Sequence, residues 1–188
     1  QKQSMEYHCW GKAQGGAARG TAALVARDVR RLRPRADLVV VSFHMGDRYQ
    51  RRPTDWERKL CQQAIDAGAD AVVNHGPHIL GPVELYRGRP ILYSVGNFAF
   101  GSGNIFARFS LAALLEIDPG QKRLSGVQLL PLYTVNHNPW VRFQTKILSG
   151  LQARRVLANL ADISAPYHAT LVQRTDPLRG WLQLGGDQ

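Results

Sequence analysis

Cysteine is scarce in this chain: Cys9 and Cys61 are the only two, and their separation gives no CxxC pair. No paired-cysteine redox or zinc motif is therefore present. Cys61 falls on the apolar side of a predicted helix, where a buried structural thiol is favoured over a ligand, and the redox compartment stays open. Long apolar runs are also missing. None approaches the roughly 18 to 20 residues that a membrane helix needs, and the first residues lack the basic, apolar, small-residue succession of a signal peptide. No membrane segment is expected in this portion. The chain has no opening methionine and begins Gln-Lys-Gln-Ser, so a segment upstream is expected to have been removed. Acidic residues are few, 14 Asp and Glu against 24 Lys and Arg, for a formal charge of +10. That balance could favour an anionic partner. The excess is nearly all arginine and scattered, however, and its densest cluster, Arg27 to Arg35, reads as the solvated face of a helix. No nucleic-acid fold signature accompanies it, so nucleic acid is not an expected partner. Internal repeats and long low-complexity stretches are absent as well.

What is present suits one hydrophobic core: 188 residues, of which 44% are hydrophobic. After a Gly-rich opening from Gly11 to Gly20, Leu24, Val25, Asp28, Val29 and Leu32 share one face of a helix over about Thr21 to Arg33, which Pro34 should stop. Asp37 to Phe43 is a continuous, largely β-branched run of the kind found where helices cover both faces of a parallel strand. Thr54 and Glu57 form a capping box at the head of a second helix, whose buried face is marked by Trp56, Leu60, Ala64 and Ile65. Gly68 ends that helix, and Ala69 to Val73 begins the next strand at once. The unit is β-α-β, its crossover right-handed and its strands parallel.

From Pro82 the pattern changes. Val83 to Tyr86 and Pro90 to Ser94 read as an antiparallel hairpin turned by Gly88, with Glu84 either facing solvent or paired with an arginine. The loop containing Gly96, Gly101 and Gly103 offers close approach to a ligand or simply tight turns. Phe109 to Asp118 and Leu124 to Tyr133 form a second hairpin around Pro119-Gly120. A last helix should start at the capping box Ser149-Gly-Leu-Gln152 and carry Val156, Leu157, Leu160 and Ile163 inward. The expected fold class is α/β, with antiparallel hairpins after a β-α-β unit.

The chemistry converges on histidine. His44 ends the first strand, while His75 and His78 follow the second as Asn74-His-Gly-Pro-His78. Open α/β sheets collect ligands at the carboxyl ends of their strands, so these three side chains should meet in one crevice. Imidazole is a common ligand for zinc, manganese and iron. His8, His137 and His168 lack such a context; His137, in Asn136-His-Asn-Pro139, reads as a loop, and His168 as surface.

Four motifs then agree in order and spacing with one family. They are Ser42-Phe-His44-Met-Gly46, Asp66-Ala-Gly68-Ala-Asp70, Asn74-His75-Gly-Pro77-His78, and Tyr93-Ser-Val-Gly96-Asn97-Phe98. Together they resemble the CapA family of capsule and poly-γ-glutamate synthesis proteins, which carry a calcineurin-like metallophosphatase fold. The match is strong from about Ala36 to Phe100 and looser beyond. The resemblance implies the C-terminal half of a metallophosphatase-like α/β sandwich: residues 1–133 the C-terminal part of that domain, and 134–188 a helical extension packed on it. It makes His44, His75 and His78 metal ligands, with His78 also able to transfer a proton. Asn97 is placed either in the cleft loop or in a turn, and Asn74, Gly96 and Arg48 join it as expected substrate or cleft-loop residues.

There are departures from the family pattern. Asn74 stands where the family has glycine, Met45 where it has tryptophan, and Arg48 where it commonly has glutamate. Asp47 then either supplies the missing carboxylate in catalysis or is a solvated loop residue. The family's earlier Gly-Asp, Asn-Leu-Glu and Asn-His motifs do not occur upstream of Ala36. A two-metal centre needs a bridging carboxylate, so the missing N-terminal half of the same protein is the expected partner of this portion. The strand at Asp37 would then have an unpaired edge.

By this resemblance the complete protein holds two divalent ions (Mn, Fe or Zn). It acts as a metal-dependent hydrolase or as an export or anchoring factor for an anionic polymer, polyglutamate or another capsule or cell-wall chain, at the bacterial envelope. Two alternatives differ in class: a non-catalytic polymer-binding module, and a mononuclear zinc hydrolase using the three histidines.

Overall fold

The structure is a computed structural model describing residues 18–100, 102–135, 137–139, 141–175 and 178–184. His8, Cys9 and the Gly-rich opening through residue 17 lie outside these residues. Helix α1, Ala22–Leu32, opens at Thr21, whose hydroxyl accepts the Leu24 amide at 3.4 Å. Val29 is its buried residue, and Leu32 is 47% exposed rather than part of the covered stripe. As expected, Pro34 lies just past the end of the α-helix. It sits near the start of a 3-10 turn, Arg33–Arg35, where its missing amide has no helical partner to lose. Strand β1, Val40–Phe43, is followed by helix α2, Asp55–Asp66, and strand β2, Ala71–Asn74. The capping box is complete: Thr54 Oγ1 accepts the Glu57 amide, and the Glu57 carboxylate accepts the Thr54 amide at 2.6 Å. Trp56, expected on the buried face of α2, is 62% exposed; Leu60, Cys61, Ala64 and Ile65 face the core instead. Gly68, at φ 113, follows the helix end.

Strands β1 and β2 are parallel, with Phe43 opposite Asn74. Strands β3, Val83–Tyr86, and β4, Arg89–Leu92, form the expected hairpin; both turn residues, Arg87 and Gly88, have positive φ. The first sheet runs β1-β2-β4-β3, so β1 is an edge strand among the described residues. Among the described residues helices cover only one of its faces: Val39 and Phe43 turn inward, whereas Val40 is 45% exposed.

Strands β5, Phe109–Asp118, and β6, Arg123–Tyr133, form the long second hairpin. The Asp118 carboxylate shapes its turn by accepting the Gly120 and Gln121 amides at 2.9 and 3.0 Å. A short strand, β7, Lys146–Ile147, pairs with β6. Helix α3, Gly150–Ser164, buries Ala153, Val156, Leu157 and Leu160. Its expected capping box does not form. Gly150 enters at φ 57, and the Ser149 side chain accepts no amide. Beyond this helix the chain adds strands β8, Leu171–Thr175, and β9, Leu178–Gln183, with β9 pairing β6. The segment from 134 is thus helical only in part.

The mixed α/β class agrees with the sequence reading, as two sheets and, among the described residues, three α-helices. One apolar cluster joins the sheets, with Ala71, Leu92 and Val95 meeting Leu111, Val127 and Leu182. Backbone bonds continue the connection: Val95 donates to the Asn74 carbonyl at 3.1 Å, and Leu111 donates to Val95 at 2.8 Å. The second sheet is therefore anchored to the strand ends that carry the histidines.

Candidate functional site

The register of β1 and β2 brings two exit loops together. His75 donates its backbone amide to the Phe43 carbonyl at 3.1 Å, so His44 and His75 leave the sheet side by side. Asn74 fastens this junction from below. Its Oδ1 accepts the Met45 amide at 3.1 Å, and its Nδ2 donates to the carbonyls of Met45 and Tyr93 at 3.0 and 2.8 Å. One buried side chain thereby ties β1, β2 and β4 at their carboxyl ends. Gly76 is required above it, because a Cβ there would fall 2.1 Å from the Met45 carbonyl oxygen. Pro77 packs toward Gly46, and its carbonyl accepts the Tyr49 amide at 2.8 Å. His78 then sits at φ 64, a conformation uncommon outside glycine and asparagine.

His78 Nδ1 lies 2.7 Å from Asn97 Oδ1. An amide oxygen only accepts, so Nδ1 carries the proton at this contact, and in the neutral ring the lone pair is on Nε2. The His44 and His78 rings stand 6.4 Å apart, edge to face, and Phe100 lies 5.1 Å from His78. Around them opens a cleft of about 210 Å³, floored by the three histidines and walled by Gly96, Asn97 and Phe98. Burial, and then the neighbouring His44, hold His75 below the ordinary histidine range, which favours its neutral form.

Not every expected site residue enters this cleft. Asp47 and Arg48 are exposed in the loop after His44, where the Asp47 carbonyl accepts the Gln50 amide at 3.1 Å and the Asp47 amide donates to Gln50 Oε1 at 3.3 Å. Asn74 lies beneath the histidines as a clamp. The sequence shows Glu57 only as a capping residue, yet its carboxylate also accepts Gln50 Nε2 at 2.9 Å and so holds the His44 loop. The sequence carries only the spacing of the capping box; the link to Gln50 depends on how the loop folds back.

Glu84 is likewise more than either expectation in full. It is 1% exposed, excluding solvent contact, and accepts from Arg58 at 2.7 Å, Gln62 at 2.9 Å and the Tyr93 hydroxyl. The hydrogen bond to Glu84 raises the Arg58 pKa and keeps it charged. Burial, reinforced by Glu84, pushes the Tyr93 hydroxyl well above the ordinary tyrosine range. Cys61 is buried, and its thiol is pushed upward by that burial.

The donor set for a metal is incomplete. Among the described residues no three His, Cys, Asp or Glu side chains gather closely enough to hold an ion, and no carboxylate lines the cleft. The tautomer of His78 suits ligation through Nε2, and its Asn97 partner is the kind of outer contact that orients a ligand histidine. The three imidazoles do not make a self-sufficient centre.

The model of the family described as bacterial capsule synthesis protein PGA_cap matches residues 1–102. The chain is 50% identical over 68 residues to the PGA biosynthesis protein CapA of Bacillus subtilis, covering 36% of this chain and 18% of that protein. It is 33% identical over 125 residues to the capsule biosynthesis protein CapA of Bacillus anthracis, covering 66% and 29%. A probable polyglutamine synthesis accessory protein of Mycobacterium tuberculosis is 32% identical over 126 residues, covering 64% and 32%. The matched parts thus span between 18% and 32% of these relatives.

Proposed function

This chain belongs to the bacterial capsule synthesis family PGA_cap, and we propose that its histidine cleft receives a group of an anionic, polyglutamate-type polymer during capsule or polyglutamate synthesis. The observation that carries this reading is the convergence of His44, His75, His78 and Asn97 at the carboxyl ends of parallel strands. The relatives' names, which concern PGA, capsule and polyglutamine synthesis, supply the polymer class.

In the complete protein the same cleft is proposed as one wall of a metallophosphatase-type hydrolytic site. Carboxylates outside the described residues would have to complete it before divalent ions bind. His44, His75 and His78 would contribute imidazole nitrogens; His78 is already oriented for this by Asn97. A bound ion would supply Lewis acidity or an activated water. The chain's own residues orient the entering group and, through the Asn74 clamp, hold the two exit loops in register.

The second reading is a polymer-binding accessory module without catalysis. It is favoured by the lack of any carboxylate in the cleft among the described residues. Retention of the 188-residue chain on immobilised polyglutamate, with and without a chelator, tests both. Retention that resists chelation, and that weakens in His75→Ala, is the expected result. Failure to bind the polymer under either condition would remove the reading. Tight uptake of two ions by this chain alone, measured by elemental analysis, would show that the donor set is more complete than the cleft lining indicates.

A further inference from the structure

Aromatic rings crowd the mouth of the cleft. Phe98 and Phe100 line it, and Phe100 stands 5.1 Å from His78. Further along the chain Phe106 is 75% exposed and lies 6.3 Å from Tyr49, in the loop after His44. The Asn104 side-chain amide donates to the Tyr49 hydroxyl and ties the two loops together. The Phe98 carbonyl accepts Thr145 Oγ1 at 2.5 Å, which brings in the segment carrying Phe143, 71% exposed and 5.2 Å from His137. A Cβ at Gly103 would stand 3.8 Å from that same histidine. Single exposed apolar residues are ordinary, but rings on three linked loops beside a cleft mark a contact surface.

The charge on these loops is almost all of one sign. Arg48, Arg108 and Arg142 are exposed, and none forms an ion pair with a described residue. No Asp or Glu occurs between Glu84 and Glu116 or between Asp118 and Asp162, and the loop after His44 carries only Asp47. Rings interspersed with unpaired guanidinium groups suit a flexible chain whose carboxylates are spaced by methylenes: the rings cover the methylenes and the guanidinium groups hold the carboxylates. The cleft, at about 210 Å³, is below the roughly 300 to 1,000 Å³ of pockets that enclose whole small ligands, so it takes one group and leaves the rest of a long chain outside.

We propose that Phe106, Arg108, Arg142 and Phe143 form a track beside the cleft that holds the body of a polyglutamate-type chain while one of its groups occupies the cleft. This rests on the cleft being the site proposed above and adds the surface that holds a long chain there.

The test measures the affinity of the 188-residue chain for long polyglutamate and, separately, for single-stranded DNA of matched charge. Two double variants probe the track, Arg108→Gln with Arg142→Gln and Phe106→Ser with Phe143→Ser, and His75→Ala probes the cleft. Each track pair is expected to weaken polyglutamate binding by about tenfold, the first through lost charge and the second through lost apolar cover. Because all four side chains are exposed or carry only surface contacts, the amide spectrum should keep the native pattern; should one pair fail to fold, the other still decides. Arg108→Lys with Arg142→Lys keeps the charge and should lose less than the glutamine pair. If His75→Ala weakens binding and neither track pair does, the cleft reading stands and the track is overturned. If the track pairs weaken binding and His75→Ala does not, the cleft reading falls and the surface is no extension of it. DNA bound as tightly as polyglutamate, and weakened equally by the track pairs, would overturn the assignment to a carboxylate chain. Absence of polyglutamate binding by the unaltered chain would remove both.

Discussion

The two sheets are built by different means. The first has strands of four residues each, too short for their ladders alone to hold the exit loops. Buried polar side chains reinforce its joints. Asp70 accepts the Val39 amide at 2.7 Å and pairs with Arg33 at 2.6 Å and with Arg89; Asn74 clamps Met45 and Tyr93; Glu84 gathers Arg58, Gln62 and Tyr93. In the second sheet, strands of ten and eleven residues pair along nearly their whole length, and Leu129 and Leu182 are fully buried. Polar pins give directional control over loops, whereas a long apolar sheet gives bulk stability. The histidines sit where directional control is concentrated.

The sharpest way to test this division is to weaken each side and ask whether the site notices. Leu182→Ala removes a fully buried side chain from the cluster joining the sheets. A loss of about 3 kcal/mol, within the usual range for buried leucine, is expected in urea denaturation. Because the same cluster includes Ala71, Leu92 and Val95, both sheets should unfold in one transition. Two separate transitions would show the sheets to be independent units. Below the transition, histidine resonances should be unchanged.

Asn74→Ala should do the reverse. It removes three hydrogen bonds around the strand exits, for about 2 kcal/mol. Amide shifts should concentrate in residues 44–50 and 74–78, leaving β5 and β6 unmoved. Shifts spread evenly over both sheets would contradict a local clamp.

These contrasts also explain how much could be seen in the sequence. The β-α-β unit, both hairpins and the histidine convergence follow from local patterns: Gly68 at a helix end, Gly88 in a turn, imidazoles after apolar runs. Strands β7 to β9 carry no comparable signal, since β9 is interrupted by Gly180 and takes its place from packing. A Cβ at Gly180 would meet Leu157 at 2.9 Å, so the glycine permits close approach of α3. Asn74 reads as a cleft residue because it adjoins His75, yet strand alternation sends its side chain beneath. Glu84 was ambiguous for a related reason: its partners Arg58 and Tyr93 come from another element and another strand.

Alkaline pH should strain the polar side of the molecule first. Cys61 and Tyr93 are both raised above their ordinary values of 9.0 and 10.0. In the folded state they hold protons that the unfolded chain releases, so their stabilisation is complete below pH 9 and declines as pH rises toward the folded values. The slope is about 1.4 kcal/mol per pH unit for each group once its unfolded form has titrated. Tyr93→Phe should flatten the decline above pH 10, and Cys61→Ala the portion beginning near pH 9, as followed by urea midpoints. An unchanged slope in both variants would place the alkaline sensitivity elsewhere.

The smallest expected effect concerns the residue whose sequence pattern misleads most. Trp56 falls on the helical period of Leu60 and Ala64, and a large aromatic at that spacing reads as core. In the structure it is 62% exposed, whereas Leu60 is 3% exposed. The physical reason lies at the helix head. The capping box fixes how α2 begins, with the Glu57 carboxylate folded back on Thr54 and Gln50, so that Glu57, 6% exposed, and not Trp56 is the covered residue of the first turn. Trp56→Ala should therefore change stability by no more than about 0.5 kcal/mol, as for a surface position, against about 3 kcal/mol for Leu60→Ala. A Trp56→Ala loss near that of Leu60→Ala would mean that another surface covers the head of α2 in the working protein. Comparing the two variants by urea midpoint separates apolar residues that form the core from one that shares only their spacing.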